Sequence, residues 1–174
     1  MAGCDITNGR KKPCKNSIAG VKKVYFFNDI ENPFTVVNNV ATAINPLLID
    51  VYEYDLTGAG NMLVQSYASN REAGTAVNTI TLTLVLNKLT KEDGLQLGNL
   101  AKSYPKAVVR DRNGIFHVVG IIEGVDFTIA ATTGGAQADA NGYTLTGLAT
   151  ESELCPILDT ATATAFLAVV NPTT

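Results

Sequence analysis

Thr75-Ala76-Val77-Asn78-Thr79-Ile80-Thr81-Leu82-Thr83-Leu84-Val85-Leu86-Asn87-Lys88 is the stretch on which the fold turns. Val77, Thr79, Thr81, Thr83 and Val85 alternate with Ile80, Leu82, Leu84 and Leu86. Side chains in a strand point alternately to opposite faces, so this period of two predicts one long strand with Ile/Leu inward and Thr outward. The outward face is polar but uncharged, which suits either solvent or a neighbouring subunit.

The flanking sequence repeats the theme. After this strand, Thr90 is placed to cap a helix with Glu92 and Asp93 in its first turn and Leu97, Leu100 and Ala101 as its apolar stripe, ended by Tyr104-Pro105. Residues 106–122 read as a hairpin about Arg112-Asn113-Gly114-Ile115; a two-residue turn sets Arg110 opposite His117 and Val108 opposite Val119. Strands are predicted over 124–131 and 142–151, the latter with a bulge at Gly147, on either side of a flexible loop at 132–141. Upstream, residues 20–28, 34–44, 47–56 and 62–68 read as strands, and 162–170 as a final edge strand. The sum is a mainly β, single-domain β-sandwich or barrel of about nine to eleven strands with one short α-helix at about 90–103. Residues 1–19 form a basic N-terminal arm, with an Asn-Gly hairpin at Thr7-Asn8-Gly9-Arg10, and residues 20–174 the β-domain.

Composition supports that reading. Of 174 residues 46% are hydrophobic and only 17% charged, against about 25% charged in an average soluble domain. That apolar content excludes disorder, and no repeat matches collagen or a coiled coil. Charge is unevenly spread. Arg10, Lys11, Lys12, Lys15, Lys22 and Lys23 face Asp5 alone in the first 23 residues, whereas no Lys or Arg occurs from Asn113 to Thr174. Glu123, Asp126, Asp139, Glu151, Glu153 and Asp159 all lie in that cation-free stretch. A body this acidic cannot wrap nucleic acid, since phosphate affinity needs clustered cations. The basic segment is therefore expected to dock on an acidic protein surface.

No catalytic constellation emerges. His117, the only histidine, sits mid-strand opposite a predicted arginine, which disfavours the imidazolium. A zinc site from Cys4, Cys14, Cys155 and His117 matches by ligand type, but its spacings fit no C-x2-C knuckle. Glu151 and Glu153 are neighbours in one segment, whereas glycosidase carboxylates face each other across a cleft. The glycines of 132–142 match neither phosphate-binding pattern. The reading is thus no enzyme, no cofactor, no metal and no small-molecule substrate. Three cysteines without a secretory signal fit free thiols in a reducing compartment. The longest apolar tract near the end, Ala161 to Val170, is too short to span a bilayer, so no membrane partner is expected.

One resemblance covers most of the chain. A long strand ending Leu86-Asn87-Lys88-Leu89-Thr90-Lys91-Glu92 is followed by a short helix with Leu100-Ala101-Lys102. Next come a Val108-Val109-x-Asp111-x-Asn113-Gly114 hairpin and Asp139-x-Asn141-Gly142-Tyr143-Thr144-Leu145-Thr146. With the opening Cys4-Asp5-Ile6-Thr7-Asn8-Gly9-Arg10 and Val24-Tyr25-Phe26, this order resembles virion structural proteins of tailed phages, most of all tail-tube proteins. The resemblance implies a homo-oligomer stacked as hexameric rings, other virion proteins as partners, DNA that passes without specific binding, and a virion location after synthesis in the host cytoplasm. It implies no catalytic residues. A capsid-decorating or head–tail joining protein is the alternative within that group. A carbohydrate-binding β-sandwich module is a third reading, poorly served by a chain without tryptophan. On the leading reading Arg10, Lys11, Lys12, Lys15, Lys22 and Lys23 form an assembly arm, and Glu123, Asp126, Asp139, Glu151, Glu153 and Asp159 its acidic docking surface or a lumen that repels phosphate.

Overall fold

The long alternating stretch is the central strand of a small sheet packed on a larger one. A computed structural model describes Ile6 and residues 8–171. In chain order the first elements are β1 (Val21–Phe27), β2 (Phe34–Val37), β3 (Val40–Ile44), β4 (Val51–Asp55), β5 (Met62–Asn70) and β6 (Thr75–Asn87). After α1 (Lys91–Leu100) come β7 (Lys106–Asp111), β8 (Phe116–Val119), β9 (Asp126–Thr132), β10 (Gly142–Glu151) and β11 (Ile157–Leu158). The chain then forms α2 (Thr160–Val169) and β12 (Val170–Asn171). Sheet A has eight strands in the order β12-β4-β1-β7-β8-β11-β3-β2, and sheet B four in the order β5-β6-β10-β9. The domain is mainly β, as anticipated, with twelve strands rather than nine to eleven and two helices rather than one.

Three layers result. Ile80, Leu82, Leu84, Leu145 and Phe127 of sheet B meet Val24, Phe26, Val109 and Val119 of sheet A in one core, with α1 contributing Leu97. Phe26 and Phe127 cross it edge to face at 5.4 Å, the geometry that ring quadrupoles favour. A second core lies on the far face of sheet A, where Tyr25, Phe27, Val108 and Val118 are covered by Phe166 of α2 together with Phe34, Leu48 and Leu158. Sheet A is therefore buried on both faces, and β1 and β7 carry continuous apolar runs rather than clean alternation.

Five local readings change. The segment 162–170 is helical up to Val169, because Asp159 caps it by accepting from the Thr162 amide at 2.6 Å. Its Thr/Ala alternation looks like a strand, but Thr162 and Phe166, one turn apart, are the residues it buries. Residues 34–44 are two strands, because Asn38 and Asn39 both take positive φ (51° and 61°) and make a two-residue hairpin turn pairing Val37 with Val40. In the 106–119 hairpin, Arg110 pairs with Phe116 and Val109 with His117, one residue from the anticipated register. The cause is Asp111, whose carboxylate accepts from the Asn113 and Ile115 amides and lengthens the loop to three residues ending at Gly114, φ 84°. Gly147 keeps regular pairing with Leu82 and Phe127, so it is no bulge. It is glycine because a Cβ there would lie 2.6 Å from the Phe127 ring and 2.8 Å from Val125 Cγ1. Lastly, residues 8–19 contain no strand, so Lys11 and Lys12 belong to no ladder among the described residues; Asp5 and Cys4 of the anticipated hairpin lie outside them.

Candidate functional site

Two surfaces stand out, and each follows from a strand pattern. The first is the outer face of sheet B. Because β5, β6, β10 and β9 pair in unbroken register, Met62, Val64 and Ser66 line up across the sheet with Thr79, Thr81, Thr83, Thr146, Leu148, Thr150 and Thr128. No Lys, Arg or His occurs anywhere in these four strands. Asp126, at the start of β9, is the one charge on the outer face; Glu151 ends β10 on the inner side and is buried. Met62, Val64 and Leu148 remain about half exposed. The edge strand β5 runs nine residues without a charge, proline, glycine or bulge, the devices that normally blunt a free edge.

The second surface is a cleft of about 960 Å³ at the end of sheet A where β1 finishes and β7 begins. Its lining includes the apolar Phe34, Val36, Ile121 and Leu154, and Asp29, Glu31, Glu151 and Glu153 line it with negative charge. Lys106 is the one cation in the lining. Only 2% exposed, its ammonium lies 3.0 Å from Asp29 Oδ1 and donates to the Ile30 carbonyl at 2.6 Å. A buried lysine with those partners is satisfied and holds the 29–31 loop against β7. Glu151 accepts from the Ile122 amide at 3.2 Å. Burial nevertheless pushes its carboxyl above the usual glutamate range, and Glu123 nearby adds to the rise, while the Ile122 and Ile121 amides oppose it.

The anticipated assembly residues separate into groups. Arg10, Lys11, Lys12 and Lys15 lie on an exposed, irregular arm that, among the described residues, is tied down at its base. There Asn113 accepts from the Ile18 amide at 2.9 Å and donates to the Ile18 carbonyl at 3.0 Å. Lys22 and Lys23 are not part of the arm: both are in β1, and Lys23 is held by Glu53 at 2.5 Å and Asp55 at 3.1 Å. On the acidic side, Glu151 and Glu153 meet in the cleft. Asp139 instead braces the 132–141 loop, accepting from the Gly135 and Ala136 amides, which hold its pKa below the usual range. Asp159 caps α2, and hydrogen bonds from the Thr162 side chain and amide lower its pKa. The acidic residues therefore form no single surface. Asp29, Glu31 and Lys106 escaped sequence reasoning because they meet only where β1 ends beside the start of β7; the sole signal was a lysine heading an apolar strand.

Chemistry elsewhere is sparse. Burial holds the His117 imidazole below its ordinary pKa despite Asp111 at 3.8 Å, so the cause is desolvation and not an opposing arginine. Arg110 instead lies over the Phe116 ring, 5.3 Å from its centroid. Burial, with Glu151 nearby, pushes the Cys155 thiol up to about 12, while Cys14 is exposed on the arm. No group of three or more metal-ligating side chains occurs among the described residues. No helix among them is long and apolar enough to cross a membrane. Comparison of the chain with protein-family models, with curated proteins and with solved structures found no match.

Proposed function

We propose that this chain is a structural, self-assembling virion subunit: a phage tail-tube protein whose rings stack around a DNA channel. The observation that carries the reading is the outer face of sheet B, a four-stranded surface with a single charge and no cation. A lumen must let a polyanion slide. Phosphate affinity rises with each Lys or Arg that displaces counterions, so a Thr-lined face bearing only Asp126 gives DNA nothing to grip. The same sheet supports ring closure, because its two edges, β5 and β9, are free among the described residues and lie on opposite sides of it. A head-to-tail contact joining β5 of one copy to β9 of the next satisfies both edges and repeats until the rotation closes. The order of motifs along the chain, similar to tail-tube proteins, supports the same reading.

The test is assembly of the purified full chain, followed by light scattering and negative-stain microscopy, with a duplex DNA retention assay on the product. Rings or tubes that do not retain DNA are expected. Persistent monomers at high concentration would overturn the proposal. Binding only to preformed capsids would replace it with a decorating protein, and selective glycan binding with a carbohydrate module.

A further inference from the structure

We propose that the acidic cleft is the docking site for the N-terminal arm of a second copy of this chain, which lies along the free edge of β2. The inference rests on the reading of the chain as a self-assembling subunit and supplies that reading with an axial contact.

Three observations carry it. First, the charges match. Residues 8–19 hold Arg10, Lys11, Lys12 and Lys15 with no acid among them, and every one of these residues is exposed. The cleft presents Asp29, Glu31 and Glu153 at exposed positions, and of its acids Glu151 alone is buried in the lining. Among the described residues, the charged part of the arm makes no ion pair with its own body. Second, the arm and the cleft lie at opposite poles. The arm is clamped to Asn113 in the loop after β7, and β1 begins beside Asp111. The cleft opens where β1 ends and β7 starts, at Asp29 and Lys106. Seven residues of β1 separate the poles by roughly 23 Å. An extended arm from Ser17 back to Arg10 spans about 25 Å, so it reaches its own cleft only by doubling back along the whole body. A copy stacked end to end presents its cleft directly to the arm. Third, the cleft offers backbone as well as charge. Among the described residues β2 ends sheet A and pairs with β3 alone, leaving one edge of Phe34–Val37 free for an added strand beside apolar lining residues. Exposed ion pairs contribute little individually, so main-chain pairing and burial against Ile122 and Leu154 hold the arm while the charges select its partner surface. The contact is heterologous, and its repetition generates a stack.

The experiment mixes two isotopically distinct batches of the full chain and applies a zero-length amine–carboxyl cross-linker. Cross-links from Lys11, Lys12 or Lys15 to Glu31 or Glu153 are expected, half of them between chains of different isotope. Two charge-reversed chains, Lys11→Glu with Lys12→Glu and Glu31→Lys with Glu153→Lys, should each associate roughly tenfold more weakly at low salt. The deficit should shrink at high salt, where screening shortens the reach of the repulsion. Mixing the two reversed chains should restore association, because the reversed charges at 11 and 12 then face the reversed charges at 31 and 153. Same-isotope cross-links alone place the arm in its own cleft and overturn the proposal. Equal association of all variants overturns it too, as does protection of Lys11 and Lys12 by a duplex DNA oligonucleotide but not by a second copy. Rings without arm–cleft cross-links sink this inference and leave the tube reading standing. Cross-linked end-to-end oligomers that never form rings do the reverse.

Discussion

Sheets A and B share one core, yet their far faces are treated in opposite ways. Beyond sheet A the chain lays down α2 and the 34–48 region, burying Tyr25, Phe27, Val108, Val118 and Phe166 in a second core. Beyond sheet B none of the described residues forms a covering layer, and Thr79, Thr128, Thr150 and Leu148 stay exposed. The sequence marks the difference by period. β7 has four consecutive buried residues, whereas β6 alternates buried and open positions from Asn78 to Leu84. Burial on both faces makes a scaffold, and burial on one face leaves a surface for use. The contrast teaches that the covered side carries stability and leaves the open side to the proposed assembly, so variants should separate the two.

The largest effect is expected at the covered face. Phe166 is fully buried, 5.3 Å edge to face from Tyr25 and 6.0 Å from Phe34. Phe166→Ala should cost about 3–5 kcal/mol, measured by urea unfolding. A change under about 1 kcal/mol would mean that α2 does not seal sheet A. Next comes the shared core. Gly147→Ala should lose about 1–3 kcal/mol, because the new methyl meets the Phe127 ring from within the regular ladder. A neutral result would show that the sheets can separate locally.

The naked face should respond in the opposite sense. Thr79→Lys with Leu148→Lys should shift unfolding stability by no more than about 0.5 kcal/mol per site while adding DNA retention. Rings should remain in micrographs, since both residues lie on inner strands and not on the edges. Rings that still do not retain DNA would deny the sheet B face its place on the lumen. The smallest effect belongs to Glu151. Its folded-state pKa lies above the unfolded value, so ionisation opposes folding; that cost is absent at low pH and develops as pH rises through and beyond the ordinary glutamate range. Glu151→Gln keeps an oxygen for the Ile122 amide and should raise the melting temperature at neutral pH, with the gain vanishing in acid. A gain that persists unchanged in acid would assign the effect to something other than charge.

Strand identity was largely legible because period two and turn residues are local. β6 and β10 fall where alternation places them, and the Thr90 cap and Leu97 stripe locate α1. The Asp159 cap is equally local, but the Thr/Ala alternation after it has the period of a strand. Register was not legible: the Asp111 side chain set the length of one loop, and paired positive-φ asparagines split 34–44 into two strands. The arm's charge was plain in the residues, but its counterpart was not. Asp29, Glu31, Lys106, Glu151 and Glu153 form one cleft only because β1 and β7 run antiparallel and the end of β10 packs over their pole. Patterns of burial follow from side chains in order along the chain, so the sequence alone determined which residues face inward. Which charges meet depends on strand order and direction between distant segments, and that was decided only by the tertiary structure.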